Sequence, residues 1–181
     1  MIVFSKSFDQ RDLPEEYFRD VWRSRDGVRW EKVHQVSPLG HPIGGIGGDG
    51  FVLNNKVILP GGFTYDGLVS KHRAQWRNVW RSRSNLGEWE LATSNFPARQ
   101  YSDVGIYDNK VWVIGGIVEN ALGVAHNSNE IWHSSNGANW TRLKCSPLIP
   151  THASTIWSTP RGLFVGLGNG WSREIWKISR Q

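Results

Sequence analysis

Short apolar segments separated by polar or glycine-containing turns recur along the whole chain. Three of them end in small residues and share one pattern; they lie at 56–62, 110–116 and 162–168. Each follows another apolar segment, and these lie at 48–53, 102–107 and 153–157. A short polar turn joins the members of a pair, for example Asn54-Asn55 or Asp108-Asn109. Apolar runs of this length between turn residues predict β-strands, and their close succession predicts antiparallel hairpins.

A third pattern consists of a polar residue, a β-branched residue and a tryptophan. Its four copies are Asp20-Val-Trp22, Asn78-Val-Trp80, Glu130-Ile-Trp132 and Glu174-Ile-Trp176. A turn and a second tryptophan follow the first three copies, at 24–30, 82–89 and 134–140. Two of these turns contain Asp-Gly or Asn-Gly, dipeptides whose backbone tolerates the positive φ angles of tight hairpins. The repeating unit therefore has four strands, which we label a, b, c and d, with the first tryptophan in strand c.

The spacing of this unit predicts the fold class. The tryptophans of successive c strands are separated by 58, 52 and 44 residues. Four short strands in a period near 50 residues are the pattern of a kelch-type β-propeller. We therefore predict an all-β protein, a β-propeller of about four four-stranded blades.

Several of these features together resemble the bacterial kelch-repeat proteins, over nearly the whole chain. They are the glycine pairs Gly61-Gly62 and Gly115-Gly116 at the end of strand b, the tryptophan of strand c, the Ser-x-Asp/Asn-Gly-x-x-Trp turn, and Pro97-Ala-Arg99 before strand a. The fourth unit departs from the pattern with Leu167-Gly168 in place of a glycine pair, and the second unit lacks the Pro-x-Arg entry. The turn also resembles the Asp-box of sialidase-type propellers. That pattern places its glycine one residue later and does not require paired glycines, so we favour kelch.

The repeat predicts one domain, 1–181, with incomplete blades at both ends. The predicted blades lie at 1–33, 43–93, 99–144 and 151–181. The first lacks strand a and the last lacks strand d. Because unpaired strand edges invite pairing with another chain, we expect either a small closed ring or an open arc that a second copy completes as a homodimer.

Composition limits the compartment and the partners. Hydrophobic residues make up 39% of the 181 residues, enough for a buried core. No segment is apolar enough to span a bilayer and the start does not resemble a secretory signal, so we predict a cytoplasmic protein without a membrane partner. A single cysteine, Cys145, provides neither a disulfide nor a thiolate metal site, and we expect no cofactor or metal. The net charge of +5 favours anionic partners. Arg23, Arg25, Arg81 and Arg83 would form a basic ridge opposite the tryptophans, but no nucleic-acid-binding motif accompanies it.

Candidate binding residues lie in the loops that join strand d to strand a and strand b to strand c, because both kinds of loop emerge on one face of a propeller. They are cationic or aromatic: Tyr65, His72, Arg73, Trp76, Arg99, Tyr101, His126, His152, Trp171 and Arg173. Trp76 and Trp171 lie outside the repeat, where an exposed indole can stack on a sugar or an aromatic ligand. The kelch resemblance implies that Arg99 binds an acidic group at the mouth of the central channel, and a guanidinium suits a carboxylate. The repeat tryptophans are assigned to packing between blades.

Two functions are compatible with these residues. The first is a non-enzymatic binding module that presents a basic, aromatic loop face to an acidic peptide or an acidic carbohydrate. The chain has no Gly-x-Ser-x-Gly, phosphate loop or His-Glu-x-x-His motif. The second, implied by the resemblance, is a sugar mutarotase or isomerase similar to kelch-type sialic acid mutarotases, with Arg99, His126 and His152 beside the sugar. Convergence of the loop histidines on one point would favour the enzyme.

Overall fold

The computed structural model describes residues 2–4, 21–34, 50–61, 63–65, 73–75, 77–83, 88–169 and 173–179. Every helix or strand in these ranges is a β-strand. The strands are β1 (Ile2–Phe4), β2 (Val21–Arg23), β3 (Glu31–His34), β4 (Phe51–Leu53), β5 (Lys56–Pro60), β6 (Phe63–Tyr65), β7 (Arg73–Gln75), β8 (Val79–Ser82), β9 (Trp89–Thr93), β10 (Asp103–Tyr107), β11 (Lys110–Ile114), β12 (Ile117–Glu119), β13 (Ala125–Asn127), β14 (Ile131–Ser134), β15 (Thr141–Arg142), β16 (Thr155–Thr159), β17 (Gly162–Gly166) and β18 (Ile175–Ile178). The described residues include no helix that could cross a membrane.

The strands form four antiparallel sheets and two separate hairpins. Sheet 1 has the order β1-β2-β3, sheet 2 β4-β5-β8-β9, sheet 3 β10-β11-β14-β15, and sheet 4 β16-β17-β18. The hairpins β6–β7 and β12–β13 are inserted between the second and third strands of sheets 2 and 3. Sheets 2 and 3 thus have the predicted a-b-c-d order. Sheets 1 and 4 each contain three described strands.

Two-residue turns join the first and second strands of sheets 2 and 3. Asn54 and Asn55 have φ angles of 51° and 60°, and Asp108 and Asn109 have φ angles of 52° and 54°. Asn and Asp adopt this left-handed conformation more readily than most other residues with a side chain. Two such residues in succession form a turn that fits the twist of a hairpin. The polar dipeptides therefore set the register of these strands.

The tryptophan motif has one register in all four sheets. The tryptophans and the residues paired with them on the neighbouring strands are Trp22 with Val3 and Lys32, Trp80 with Leu59 and Leu91, Trp132 with Val113 and Arg142, and Trp176 with Val165. Since side chains alternate along a strand, all four tryptophans lie on the same face of their respective sheets.

The turn after β14 explains the recurring serine, asparagine and glycine. Asn136 Oδ1 accepts hydrogen bonds from the backbone N–H groups two and three residues later. Ser134 Oγ accepts one from the N–H of Gly137, whose carbonyl oxygen accepts one from Trp140 Nε1. The same bonds follow β2, where the corresponding residues are Ser24, Asp26, Gly27 and Trp30. The Asp-Gly and Asn-Gly turns are therefore equivalent.

Sheets 2, 3 and 4 pack face to face in succession, mainly through aliphatic side chains. The buried cluster between sheets 2 and 3 consists of Leu53, Ile58, Val79, Phe96, Val104, Val111 and Val113. The cluster between sheets 3 and 4 consists of Trp112, Ile114, Ile131, Leu148, Leu163 and Val165. Gly105 on β10 permits close approach at this second contact, because a Cβ there would lie 2.8 Å from Leu163 Cδ1.

The repeat tryptophans lie at the margins of these clusters. Trp132, Trp140 and Trp176 pack against them while remaining half-buried, so the assignment to packing between sheets is confirmed for these three. Trp30 is 37% exposed and belongs to neither cluster. Its indole instead donates to Gly27 within its own turn. Because no described sheet packs on this side of sheet 1, the assignment stays a prediction for Trp30, whereas its equivalent Trp140 packs against Phe96.

The second strand ends in left-handed backbone in sheets 2, 3 and 4. The φ angles are 67° at Gly61, 62° at Gly115 and 62° at Leu167. Leu167 therefore adopts the backbone conformation of the glycine at the equivalent position of sheets 2 and 3. The loss of the glycine in the fourth unit does not change the backbone conformation there.

Candidate binding cleft

A polar cleft of about 690 Å³ lies beside the end of sheet 3. Its walls come from the loop between β9 and β10, the β12–β13 hairpin, the residues that lead into β14, and single residues from two other loops. The lining residues are Arg77, Pro97, Ala98, Arg99, Val118, Glu119, Asn120, His126, Asn127, Ser128, Asn129, Glu130 and Pro150. Loops that join strand d to strand a and loops that join strand b to strand c thus meet at this cleft.

Arg99 forms part of the cleft wall but is closed off from solvent. Its side chain has no exposed surface. Nη2 donates to Glu130 Oε2 at 2.8 Å, Nη1 to the carbonyl oxygen of Gly115 at 2.9 Å, and Nε to that of Pro97 at 3.2 Å. The carboxylate that Arg99 binds here belongs to its own chain, so the side chain holds the loop before β10 against the ends of β11 and β14.

Glu130 is the centre of a hydrogen-bond network at the start of β14. Oε2 accepts from Arg99 and from Trp132 Nε1, and Oε1 accepts from Arg142 Nη1 at 2.6 Å. Burial by itself would raise the pKa of Glu130, but the hydrogen bonds from Trp132, Arg99 and Arg142 outweigh it and lower the pKa below its usual value. Glu130 therefore remains ionised, and its oxygens are committed to the protein.

Two charged side chains of the cleft have no partner among the described residues. Arg77, just before β8, is exposed, and so is Glu119 at the end of β12. Together with Arg99 and Glu130, the described lining holds two cations and two carboxylates, and its one aromatic ring is that of His126. The described lining of the cleft is thus polar with balanced charge, and the predicted basic, aromatic face stays a prediction because half of its residues lie outside the described side chains.

Amide and hydroxyl groups supply the rest of the polar lining. Asn120 Oδ1 accepts from the N–H groups of Leu122 and Val124, which fixes the turn of the hairpin. Ser128 Oγ accepts from the N–H of Glu130. The Nδ2 group of Asn120 and the amide of Asn129 hydrogen-bond to no described residue. These groups can donate to, or accept from, hydroxyl and carbonyl groups of a ligand.

The two described loop histidines do not converge. His152 Nδ1 lies 2.8 Å from Asn127 Oδ1, and its Nε2 lies 2.9 Å from Asn169 Nδ2. His126 and Asn127 both line the cleft, but His152 is not among the lining residues. The His152 ring lies near that of Tyr101, with ring centroids 6.1 Å apart.

The remaining candidates are distributed as follows. Tyr65 and Arg73 are paired in the β6–β7 hairpin, but their side chains lie outside the described part of the structure. His72, Trp76 and Trp171 also lie outside the described residues. Arg173 is exposed just before β18 and does not line the cleft.

Cross-strand glutamates pair with three of the four arginines of the predicted basic ridge. Arg23 Nε pairs with Glu31 at 2.9 Å, and Arg81 Nη2 pairs with Glu90 at 2.6 Å. Arg83 Nε lies 3.6 Å from the same Glu90. These pairs leave fewer positive charges available to phosphates than the sequence suggests. No group of three His, Cys, Asp or Glu side chains within the described ranges could hold a metal ion.

Several residues that line the cleft were not among the candidates. They are Glu119, Asn127, Ser128, Asn129 and Glu130. The sequence did contain a signal for Glu130. It is the first residue of the tryptophan motif at the start of strand c, and so it lies at the end of the loop that joins strand b to strand c. The others belong to, or directly follow, the β12–β13 insertion, for which the repeat provides no register.

Comparison with known proteins supports the fold. The chain matches no family model and no curated protein. Among solved structures it is similar to one titled "Structure of YjhT", a β-propeller, with a TM-score of 0.50 and 18% sequence identity. The match covers 68% of this chain and 34% of that chain, so this protein corresponds to about a third of the length of YjhT. The similarity supports a propeller-type, all-β fold for this chain.

Proposed function

We propose that the protein is a non-enzymatic binding module of kelch-like propeller architecture, in which each sheet is one blade. Its cleft receives the acidic group of a carbohydrate or a peptide. The stacking of sheets 2, 3 and 4 in one register and the similarity to a β-propeller support this architecture.

The lining of the cleft is the observation that carries the proposal. A volume of about 690 Å³ lies in the range of small-ligand sites, and the wall combines an exposed arginine with several amides. Arg77 can offer two parallel N–H groups to a carboxylate. Asn120 and Asn129 can bind neighbouring hydroxyl or peptide groups. Arg99 acts from behind the wall, as a positioning residue that holds Glu130 and the loop before β10.

Glu119 should have the opposite effect to Arg77 on the binding of an acidic ligand. Its exposed carboxylate lines the same cleft as Arg77, so it repels the acidic group that Arg77 attracts. Removing the charge of Glu119 therefore strengthens binding of an acidic ligand, whereas removing that of Arg77 weakens it.

The mutarotase is less well supported by the arrangement of side chains. Such an enzyme needs acid and base groups that face the same sugar. Of the two described loop histidines only His126 lines the cleft, Arg99 is buried, and both oxygens of Glu130 accept hydrogen bonds from the protein.

A thermal-shift screen with N-acetylneuraminate, glucuronate and a Glu-rich peptide tests the binding function, with glucose as the neutral control. We expect the acidic compounds to raise the melting temperature, since a ligand that binds the native state stabilises it. Arg77→Ala should weaken binding about tenfold, and Glu119→Gln should strengthen it. Arg161→Ala, an exposed arginine outside the cleft, is the matched control. Equal shifts for the wild type and Arg77→Ala, or no shift with any acidic compound, would contradict the proposal.

A further inference from the structure

The contact between sheets 2 and 3 shows how one sheet receives the next. We call the face of a sheet toward the following sheet its forward face, and the opposite face its rear face. Ile58 and Arg81 are paired on the forward face of sheet 2. The turn after β14 lies against them: Arg81 Nη1 donates to the carbonyl oxygen of Asn136 at 2.7 Å, and a Cβ on Gly137 would lie 3.0 Å from Ile58 Cγ2.

The forward face of sheet 4 repeats this arrangement, and no sheet formed by the described strands packs on it. The pair Phe164 and Lys177 has the register of Ile58 and Arg81. Trp157 and Ile175 complete the surface, which we call the Trp157 face. Trp157 is 37% exposed and Ile175 is 55% exposed.

The equivalent residues of sheet 3 are covered. Trp112, which corresponds to Phe164, is 6% exposed, and Ile131, which corresponds to Ile175, is 4% exposed, because sheet 4 packs on them. On the Trp157 face, the rings of Trp157 and Phe164 stack with centroids 5.4 Å apart and planes 7° apart. An ordered aromatic pair beside an exposed isoleucine is the kind of surface that another protein surface buries.

Sheet 1 carries the matching rear face. Trp22 has the register of Trp132 and Trp176, which pack on the sheets before them. Lys32 lies over the Trp22 ring, with Nζ 5.1 Å from its centroid. Trp22 is half-buried and Lys32 is exposed. The turn after β2 has the hydrogen bonds of the turn after β14, so sheet 1 has both elements with which sheet 3 contacts sheet 2.

We propose that the Trp157 face of one copy binds the rear face of sheet 1 of a second copy, and that the two copies do this reciprocally. The contact between sheets 2 and 3 is the template. It places the Asp26-Gly27 turn of the second copy over Phe164 and Lys177, as Asn136 and Gly137 lie over Ile58 and Arg81. The Lys177 ammonium group then faces the exposed Asp26 carboxylate, which gives the contact complementary charge.

Two bulky residues distinguish sheet 4 from sheet 3 at this surface. In sheet 3, a Cβ on Gly105 would lie 2.8 Å from Leu163 Cδ1 and 3.1 Å from Ile156 Cδ1 of the next sheet, and a Cβ on Gly115 would lie 2.5 Å from the carbonyl oxygen of Thr151. Sheet 4 has Trp157 and Leu167 at these two positions, and both are exposed. The described strands of sheet 1 include no strand a, so the contacts that Ile156 and Thr151 make at the front of sheet 3 have no counterpart among them.

Sedimentation velocity over a range of concentrations tests this contact. We expect the full chain to approach twice its mass of 20.6 kDa. Ile175→Lys should weaken the dimer at least about tenfold, because it buries an unpaired charge beside Lys177. Leu122→Lys is the matched control, since Leu122 is 87% exposed at the tip of the β12–β13 hairpin, outside both faces. Asp26→Asn should weaken the dimer less and reduce its salt dependence, because asparagine preserves the turn, as Asn136 shows.

A mixing experiment separates the reciprocal contact from a symmetric one between two Trp157 faces. Ile175→Lys leaves the rear face of sheet 1 intact, and Trp22→Glu leaves the Trp157 face intact. We expect each variant alone to be monomeric and their mixture to form a dimer through one intact contact. Circular dichroism confirms that each variant is folded.

Three outcomes would overturn the proposal: a wild-type chain that remains monomeric at the highest concentration, equal dimer affinity for Ile175→Lys and Leu122→Lys, or no recovery on mixing. Should Trp22→Glu fail to fold, the Asp26→Asn variant tests the same face, and an unchanged affinity and salt dependence would count against the contact.

Discussion

The backbone at Gly115 leaves no room for a side chain. The residue has a φ of 62° at the end of β11, and its carbonyl oxygen accepts a hydrogen bond from Arg99. A Cβ at this position would lie 2.5 Å from the carbonyl oxygen of Thr151. The clash is with backbone and cannot be relieved by a change of rotamer. Glycine is therefore required here both for its conformational freedom and for its size.

Substitution of this glycine should destabilise the protein strongly. We expect Gly115→Ala to lower the free energy of unfolding by more than about 2 kcal/mol, because the left-handed conformation alone costs about 1–2 kcal/mol. Gly123→Ala is the matched control, since Gly123 has a φ of 73° and a Cβ there would meet nothing within 4 Å. It should cost about 1 kcal/mol. Urea denaturation measures both values, and equal losses would show that the close approach of Thr151 is not important.

The turn after β14 is an element in which a local sequence motif also contributes to the packing between two sheets. Its asparagine organises the loop with one oxygen atom, and its glycine lies against Ile58 of the preceding sheet. The same segment thus closes a hairpin and forms part of a contact between sheets. A change in the turn should therefore affect the stability of both.

Asn136→Ala should lower the free energy of unfolding by about 1–2 kcal/mol, since it removes two hydrogen bonds to backbone N–H groups. Asn136→Asp should be nearly neutral, because Asp26 accepts the equivalent two bonds in the turn after β2. Thermal and urea unfolding of the two variants provide the comparison. A loss of similar size in both would mean that the side-chain oxygen does not organise this turn.

These turns also show why so much of the fold could be predicted from the sequence. Hairpin dipeptides, apolar strands and the tryptophan motif act over a few residues, so the strand order follows from local patterns. The surroundings of Arg99 do not, because its partners Gly115 and Glu130 lie 16 and 31 residues away. Whether an arginine faces a ligand or a carboxylate of its own chain depends on that distant packing. Asn127 and Asn129 were missed because the sequences of the two inserted hairpins, 63–75 and 117–127, share no motif that would give a register.

At the scale of the whole molecule, the Glu130 network connects parts of the chain that no single hairpin joins. It links the loop before β10, through Arg99, with β14 and with β15, where Arg142 lies. Arg99 also binds the end of β11 through the carbonyl oxygen of Gly115. The side of sheet 3 that carries the cleft is therefore held by charged hydrogen bonds in addition to the apolar clusters between sheets.

This network makes the stability of the protein depend on acid pH. The pKa of Glu130 is lowered in the folded state, because hydrogen bonds from Trp132, Arg99 and Arg142 outweigh the opposing effect of burial. A carboxyl group whose pKa is lower when folded stabilises the protein above its unfolded pKa, and this contribution is lost as the pH falls through the folded pKa. Asp26, Glu31 and Glu90 also have lowered pKa values and add to the same acid destabilisation, so a variant is needed to isolate Glu130.

Glu130→Gln should reduce stability at pH 7 and make the stability profile flatter below about pH 5, because the neutral amide no longer titrates and binds two arginines less strongly. Glu119→Gln serves as the control, since Glu119 is an exposed carboxylate of the same cleft with no partner among the described residues. Urea unfolding from pH 7 to pH 3 measures both profiles relative to the wild type. We expect the profiles of the wild type and Glu130→Gln to converge as the pH falls. Protonation of Glu130 removes the negative charge of the wild type, and the substitution has already removed that charge. Parallel profiles would show that Glu130 binds the same number of protons in the folded and unfolded chains, and that Arg99 and Arg142 do not hold its charge.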